Sequence, residues 1–121
     1  MPAEVRRFVL TSIPSVPFLE AVLLLRDSPG TEWDAARLAR RLYVGERVAA
    51  GLLEQLAGCG IAEASAGGFS VRYAPPTELR QLLDGVAAAY AADLVAVTDL
   101  IHSRIDKRAQ QFADAFRFRK E

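Results

Sequence analysis

The sequence predicts a mainly α fold that carries one small β-hairpin and ends in a long helix. Three observations lead there. Apolar residues recur at spacings of three and four through residues 15 to 57 and again from Glu78 nearly to the end. The period changes to two only between residues 61 and 73. Glycine or proline stands at the changes of period, at Pro29-Gly30, at Gly58 and Gly60, at Gly67-Gly68 and at Pro75-Pro76. The chain has 121 residues, of which 51% are hydrophobic, which suits one domain-sized core rather than two. With 25% charged residues, eight glycines and six prolines, neither disorder nor a fibrous repeat fits.

Residues 3 to 11 mix Val5, Phe8, Val9 and Leu10 with Arg6 and Arg7, and are read as a short helix. Ser15 with Pro17 in a first turn, then Phe18, Leu19, Val22, Leu23 and Leu25, predicts a largely buried helix that Ser28, Pro29 and Gly30 stop. Asp34 is placed to cap the next helix, with Trp33 before it to pack on Leu38 as a hydrophobic staple. Leu38, Ala39 and Leu42 then face inward, and Arg37, Arg40 and Arg41 face outward. Tyr43, Val44 and Gly45 interrupt this helix. Another runs from about Glu46 to Ala57, with Ala49, Leu52, Leu53 and Leu56 on its inner face.

Residues 61 to 73 read as a two-stranded hairpin turned at Ala66-Gly67-Gly68, with Phe69, Val71 and Tyr73 alternating along the return strand. Pro75 and Pro76 close it, and Thr77 is placed to cap the C-terminal helix. Beyond, Leu83, Val86, Tyr90, Leu94, Val97, Ile101, Ile105, Ala109, Phe112 and Phe116 form a stripe close to a heptad. Unbroken, such a helix would reach roughly 60 Å, against a radius of gyration near ~14 Å for a chain of this size. It therefore either breaks, with Ser103 after His102 as the expected new cap, or projects toward a partner. The stripe residues Leu83, Val86, Tyr90, Leu94, Val97, Ile101, Ile105, Phe112 and Phe116 are the expected homodimer interface.

Net charge is zero, and its distribution is uneven. Residues 31 to 73 hold five arginines and five acids; residues 77 to 101 carry a net −3, and the tail from His102 a net +3. No apolar stretch approaches the roughly 20 residues needed to span a bilayer, and no secretory leader pattern opens the chain, so a cytoplasmic location without membrane attachment is expected. One cysteine and one histidine cannot supply a zinc set or an internal disulfide, so no metal and no cofactor are expected. His102, with Asp99 and Ser103 beside it, names the residues of a catalytic triad, but neighbours on one helix do not converge as nucleophile, base and orienting group. No catalytic residue is assigned and no enzymatic turnover is expected. Cys59, between two glycines and without a basic neighbour, is read as a small buried packing residue. Trp33 and Tyr43 flank the helix capped by Asp34, as core residues or as walls of an inducer pocket.

The order of elements, with Leu38-Ala39-Arg40-Arg41-Leu42, Leu52-Leu53-Glu54-Gln55-Leu56, Gly60-Ile61 and the strand from Phe69 to Tyr73, resembles the winged helix-turn-helix of small bacterial transcription regulators of the broad MarR, PadR and IclR type. The resemblance divides the chain into a winged domain, 1–76, and a C-terminal helical dimerisation segment, 77–121, broken near 102–103. It implies a non-enzymatic regulator that acts as a dimer on double-stranded DNA, with the helix from Glu46 in the major groove and the hairpin on the backbone or minor groove. Arg37, Arg40, Arg41, Arg47, Gln55 and Arg72 are the DNA-contacting candidates on this resemblance, with Arg47 and Gln55 the side chains suited to base edges. The alternative for the arginines is ordinary surface pairing with Glu32, Glu46 or Glu54. The alternative for the whole is the same fold used as a protein-interaction adaptor, because the outward face beyond Glu46 is neutral and the wing tip has no lysine or arginine. The tail Phe112, Phe116, Arg117, Phe118, Arg119 and Lys120 then supplies an amphipathic segment for a partner.

Overall fold

The computed structural model describes residues 1–120, and the side chains of all of these except 105, 106, 108, 109 and 112–120. Helices α1 (Ala3–Ser12), α2 (Val16–Asp27), α3 (Ala35–Leu42) and α4 (Glu46–Gly58) precede strands β1 (Ala62–Ala64) and β2 (Val71–Tyr73); α5 (Thr77–Ala92) and α6 (Leu94–Lys120) complete the chain. The periodicity predicts the mainly α chain with one hairpin, and the order of elements is that of a winged helix-turn-helix with helices added at both ends, as the resemblance implies.

The local signals act where the sequence places them. The Ser15 hydroxyl accepts the Phe18 N–H at 3.2 Å and starts α2; Asp34 Oδ1 accepts the Arg37 N–H at 2.8 Å and starts α3. Thr77 is the exception: it lies inside α5, and Pro76 is the residue at its N-cap, with no side-chain cap bond. Proline suits this boundary because the first helical turn needs no N–H from it.

The strands pair antiparallel, with Ala62 opposite Tyr73 and Ala64 opposite Val71. A third, one-residue rung joins them. Trp33, just before α3, exchanges both backbone hydrogen bonds with Val71, at 2.7 and 2.9 Å. The return strand is shorter than its alternation suggests. Phe69 lies outside it, because Ser65 and Ser70 already close the loop, through a Ser65 N–H to Ser70 carbonyl bond of 2.8 Å, and Gly68 turns the chain at φ +76°.

The long C-terminal pattern folds back on itself. The break falls at Asp93 rather than at 102–103, and α6 runs unbroken through His102 and Ser103. Asp93 takes a non-helical backbone, its Oδ1 accepts the Ala96 N–H at 3.0 Å, and α5 and the first turns of α6 meet at 114°. Leu83, Val86, Val97 and Ile101 are then fully buried in the same core as Val9, Leu25, Leu38 and Leu56 of a single chain. This corrects the premise that one domain cannot cover the stripe. Tyr90 is half-buried and Leu94 exposed, whereas Ile105, Phe112 and Phe116 lie outside the described side chains.

Helix α1 packs on α5 and α6, so the N-terminal segment joins the C-terminal helices. Gly85 allows this: a Cβ there would come within 2.6 Å of Val5 Cγ2, closer than packed carbon atoms approach. The Arg104 guanidinium donates to the Ile13 carbonyl at 3.2 Å, fastening α6 to the α1–α2 junction. Cys59 is exposed at the end of α4, where the helix stops at the surface, and the burial expected for it is not found. No single helix among the described residues is long and apolar enough to cross a membrane.

Where the hairpin meets α5, Tyr73 is buried and its hydroxyl has no hydrogen-bond partner among the described residues. Burial, then the Asp84 carboxylate, raise this phenol above its ordinary value, and Arg26 and Arg80 oppose the rise. The unfolded chain ionises Tyr73 near the usual ~10, whereas the folded chain holds the proton to higher pH. Its contribution to stability is therefore intact below about pH 10 and is lost as pH rises through the folded value. Tyr73→Phe is expected to remove this part of the alkaline loss in urea titrations while changing stability at pH 7 by no more than about 1 kcal/mol. A larger loss at neutral pH would show that the hydroxyl is bonded after all.

Candidate nucleic-acid interface

Small residues set how closely the helical pair fits. Ala39 of α3 and Ala49 of α4 are buried at the crossing, and Leu38, Leu52, Leu53 and Leu56 fill the core behind them. The turn between the helices is Tyr43, Val44 and Gly45, within the length usual for a helix-turn-helix. Tyr43 closes α3 in the left-handed region at φ +57°, and both its N–H and that of Val44 bond to the Ala39 carbonyl. Glycine normally occupies such a position; tyrosine here costs roughly 1 kcal/mol. Its ring contributes nothing to the core in return, since the residue is 95% exposed. The expected core or pocket role of Tyr43 is thus not found, whereas Trp33 is core at 1% exposure.

With the inner face buried, α4 turns Glu46, Arg47, Val48, Glu54 and Gln55 to solvent, with Ala50 and Gly51 partly covered between them. Arg47 and Gln55 lie two turns apart on this exposed side. A Cβ at Gly51 would meet nothing within 4 Å, so internal packing does not require glycine there.

Arg37, Arg40, Arg41 and Arg47 are all exposed, and among the described residues none forms a salt bridge. The expected alternative of pairing with Glu32, Glu46 or Glu54 side chains does not occur. Arg37 and Arg41 instead stand over the Trp33 ring, at 5.1 and 6.0 Å from its centroid, and the Arg37 guanidinium also reaches the Glu32 carbonyl at 3.5 Å. Arg72 on β2 faces Glu63 at 3.8 Å in an exposed pair, which is weak. Arg37 and Arg72 line one polar cleft of about 610 Å³ with Glu32, Asp34 and Ser70. The structure therefore gathers Arg37, Arg41 and Arg72 around Trp33 and its strand partner, and sets Arg47 and Gln55 on the adjacent helix. Arg40 stands exposed in the last turn of α3 and lines no cleft with them.

Sequence reasoning missed the one-residue strand at Trp33, because a single rung has no period. It also missed the exposed apolar side chains of this half of the molecule: Tyr43, Val48 at 50% and Phe69 at 88% exposure. Elsewhere, Asp99, His102 and Ser103 lie on one exposed stretch of α6 and line an open cleft with Lys107 and Gln110, and no group of three or more potential metal ligands is found among the described residues.

No family model and no curated protein matches the chain. Among solved structures, the chain is similar to the multiple antibiotic-resistance repressor MarR from Listeria monocytogenes 4b F2365, at a TM-score of 0.52 and 14% identity, over 98% of this chain and 84% of that one. The likeness is one of fold, and it extends beyond the winged part to the flanking helices.

On this face the chain keeps two residues that its backbone does not favour. Tyr43→Gly relieves the left-handed strain, and Gly51→Ala removes a glycine from an uncrowded helix interior; each is expected to add about 0.5 to 1 kcal/mol of stability, read as a higher urea midpoint with an unchanged m-value. A midpoint lowered by either substitution would show that the residue is held by contacts inside the chain.

Proposed function

We propose that the protein is a non-enzymatic transcription regulator that binds double-stranded DNA as a homodimer, with α4 in the major groove. One observation carries the reading most: in a helix-turn-helix whose α3, turn and α4 are fully formed, Arg37, Arg40, Arg41 and Arg47 project to solvent with no acidic side chain paired to them. Exposed cations without an acidic partner are available to phosphates. Arg47 has the reach for a base edge, Gln55 a second, and Arg37, Arg40, Arg41 and Arg72 the backbone. The likeness to a MarR repressor supports the same reading at the level of fold.

The dimer forms through α1, α5 and α6. The buried stripe is not its surface. Available instead are the groove of about 610 Å³ between α1 and α5, with Val5, Phe8 and Leu82 in its walls, and the corner where α5 meets α6, with Leu94 at 52% and Val95 at 63% exposure. The chain so divides its labour: 77–121 with α1 associates, and the winged part binds. A second reading, an adaptor that contacts protein through the winged face, is favoured by Glu46 and Glu54 flanking Arg47 and by the exposed Tyr43 and Val48.

Light scattering is expected to give twice the chain mass, and Val95→Asp, at an exposed position, to give a folded monomer. A monomeric wild type at high concentration would remove the dimer from the proposal. If each subunit makes two or three phosphate contacts, the log–log slope of affinity against salt is about −4 to −5. Arg40→Ala is expected to weaken binding on every sequence and flatten that slope, and Arg47→Ala to blur base preference as well. Failure of the wild type to bind any duplex at low salt decides for the adaptor.

A further inference from the structure

The wing tip is presented in a way that its charge does not explain. Residues 65 to 70 contain no lysine or arginine, so the tip cannot grip phosphate electrostatically. It is nonetheless closed by bonds of its own: Ser65 N–H to the Ser70 carbonyl at 2.8 Å, Gly68 N–H to the Ser65 carbonyl at 2.9 Å, and the Ser70 hydroxyl to the Ser65 hydroxyl at 3.0 Å. This closed loop holds Phe69 outward at 88% exposure. The ring is not needed by the hydrophobic core, whose hairpin members are Ile61, Ala62, Val71 and Tyr73. Its position is defined relative to α4, because Phe69 and Gly68 line one shallow cleft of about 250 Å³ with Ala50, Leu53, Glu54 and Ala57 of that helix. When α4 occupies a major groove roughly 12 Å wide, the hairpin beside it lies over the flanking backbone or the next minor groove, the placement that the winged-helix resemblance implies.

We infer that Phe69 is an apolar wedge that enters the DNA minor groove beside the α4 site and partly unstacks one base step there. This rests on the proposed DNA binding and adds to it the chemistry of the wing. Insertion of an apolar ring between base pairs needs no positive charge, and it favours steps that unstack easily, the pyrimidine–purine steps TA and CA. The uncharged tip, anomalous for a phosphate contact, suits a side chain that must leave water and slide between stacked bases. Gly67 and Gly68 add no side chains to obstruct a close approach.

The test compares wild type with Phe69→Ala and Phe69→Trp on a short A·T-rich duplex carrying 2-aminopurine next to a TA step in the flank of the bound site. Phe69 is almost fully exposed, so neither substitution threatens the fold. Expected for Phe69→Ala is a loss of about tenfold or more in affinity, the worth of one base–aromatic stack, with the salt slope unchanged because no phosphate contact is removed. The 2-aminopurine fluorescence should change on binding by wild type and Phe69→Trp and stay flat with Phe69→Ala. Replacing the TA step by a stiff A-tract should penalise wild type more than Phe69→Ala. The inference is overturned if wild type binds the duplex and Phe69→Ala binds within twofold of it, or if the loss comes with a flattened salt slope. It is overturned also if Phe69→Ala leaves DNA binding intact and abolishes binding of a protein partner. Absence of any wild-type binding would instead strike the DNA-binding proposal on which it stands.

Discussion

Trp33 and Val71 hold the winged half of the molecule together through one antiparallel rung. Their two backbone hydrogen bonds, 2.7 and 2.9 Å long, are the sheet's direct link to the segment that enters α3. The indole between them is 99% buried, so a large apolar surface leaves water at the same point. Directly after it Asp34 caps α3, and from α3 Arg37 and Arg41 reach back over the ring. The rung thus sets the distance between the wing and the helical pair and orients two of the surface cations. Among the described residues no other backbone bond joins β2 to the α3 entry, and the Trp33 side chain adds to that rung the apolar burial beneath it and the ring over which Arg37 and Arg41 stand.

Much of this was legible in the sequence, and the illegible parts have physical reasons. Caps at Ser15 and Asp34, the glycine exit from α4 and the hairpin arise from local chemistry, which acts over a few residues and leaves a trace in composition. Trp33 as a strand does not, because its pairing partner is 38 residues away and its own neighbours show no alternation. The break at Asp93 was hidden for a different reason. Apolar residues continue at helical spacing through it, so periodicity cannot separate one straight helix from two that turn back and bury the same stripe. An acidic residue between Ala92 and Leu94 was the available signal, and an aspartate is as ordinary on a helix surface as at a cap. At the candidate interface, which residues face outward was readable for Arg37, Arg40, Arg41 and Arg47. What they face was not, since a stack on Trp33 depends on a contact that tertiary structure creates.

The folding-back of the C-terminal helices changes what the remaining surface is for. Leu83, Val86, Val97 and Ile101 complete one core in one chain, with α1 lying against them at the glycine-made contact with Gly85. Fully buried aliphatic side chains of this size stabilise by about 1.5 to 3 kcal/mol each relative to exposure, far more than the exposed ion pair of Arg72 with Glu63 contributes. Among the described residues the large apolar side chains left outside are Met1 at the N-terminus, Leu94 and Val95 at one corner, and Tyr43, Val48 and Phe69 on the winged half. Internal packing accounts for the buried residues, and the exposed ones are those on which the proposed contacts draw.

The junction from wing to α5 is built without slack. Ala74 N–H bonds to the Ile61 carbonyl at 3.0 Å, Pro75 is buried, Pro76 sits at the helix start, and both prolines have φ restricted by their rings. On the other side of α5, Asp84 holds Arg26 of α2 at 2.8 Å. Held at its start by a backbone bond and two proline rings, and along its length by an ion pair to α2, α5 leaves the base of the hairpin little choice of angle, so the direction of the wing is decided at its root rather than at its tip.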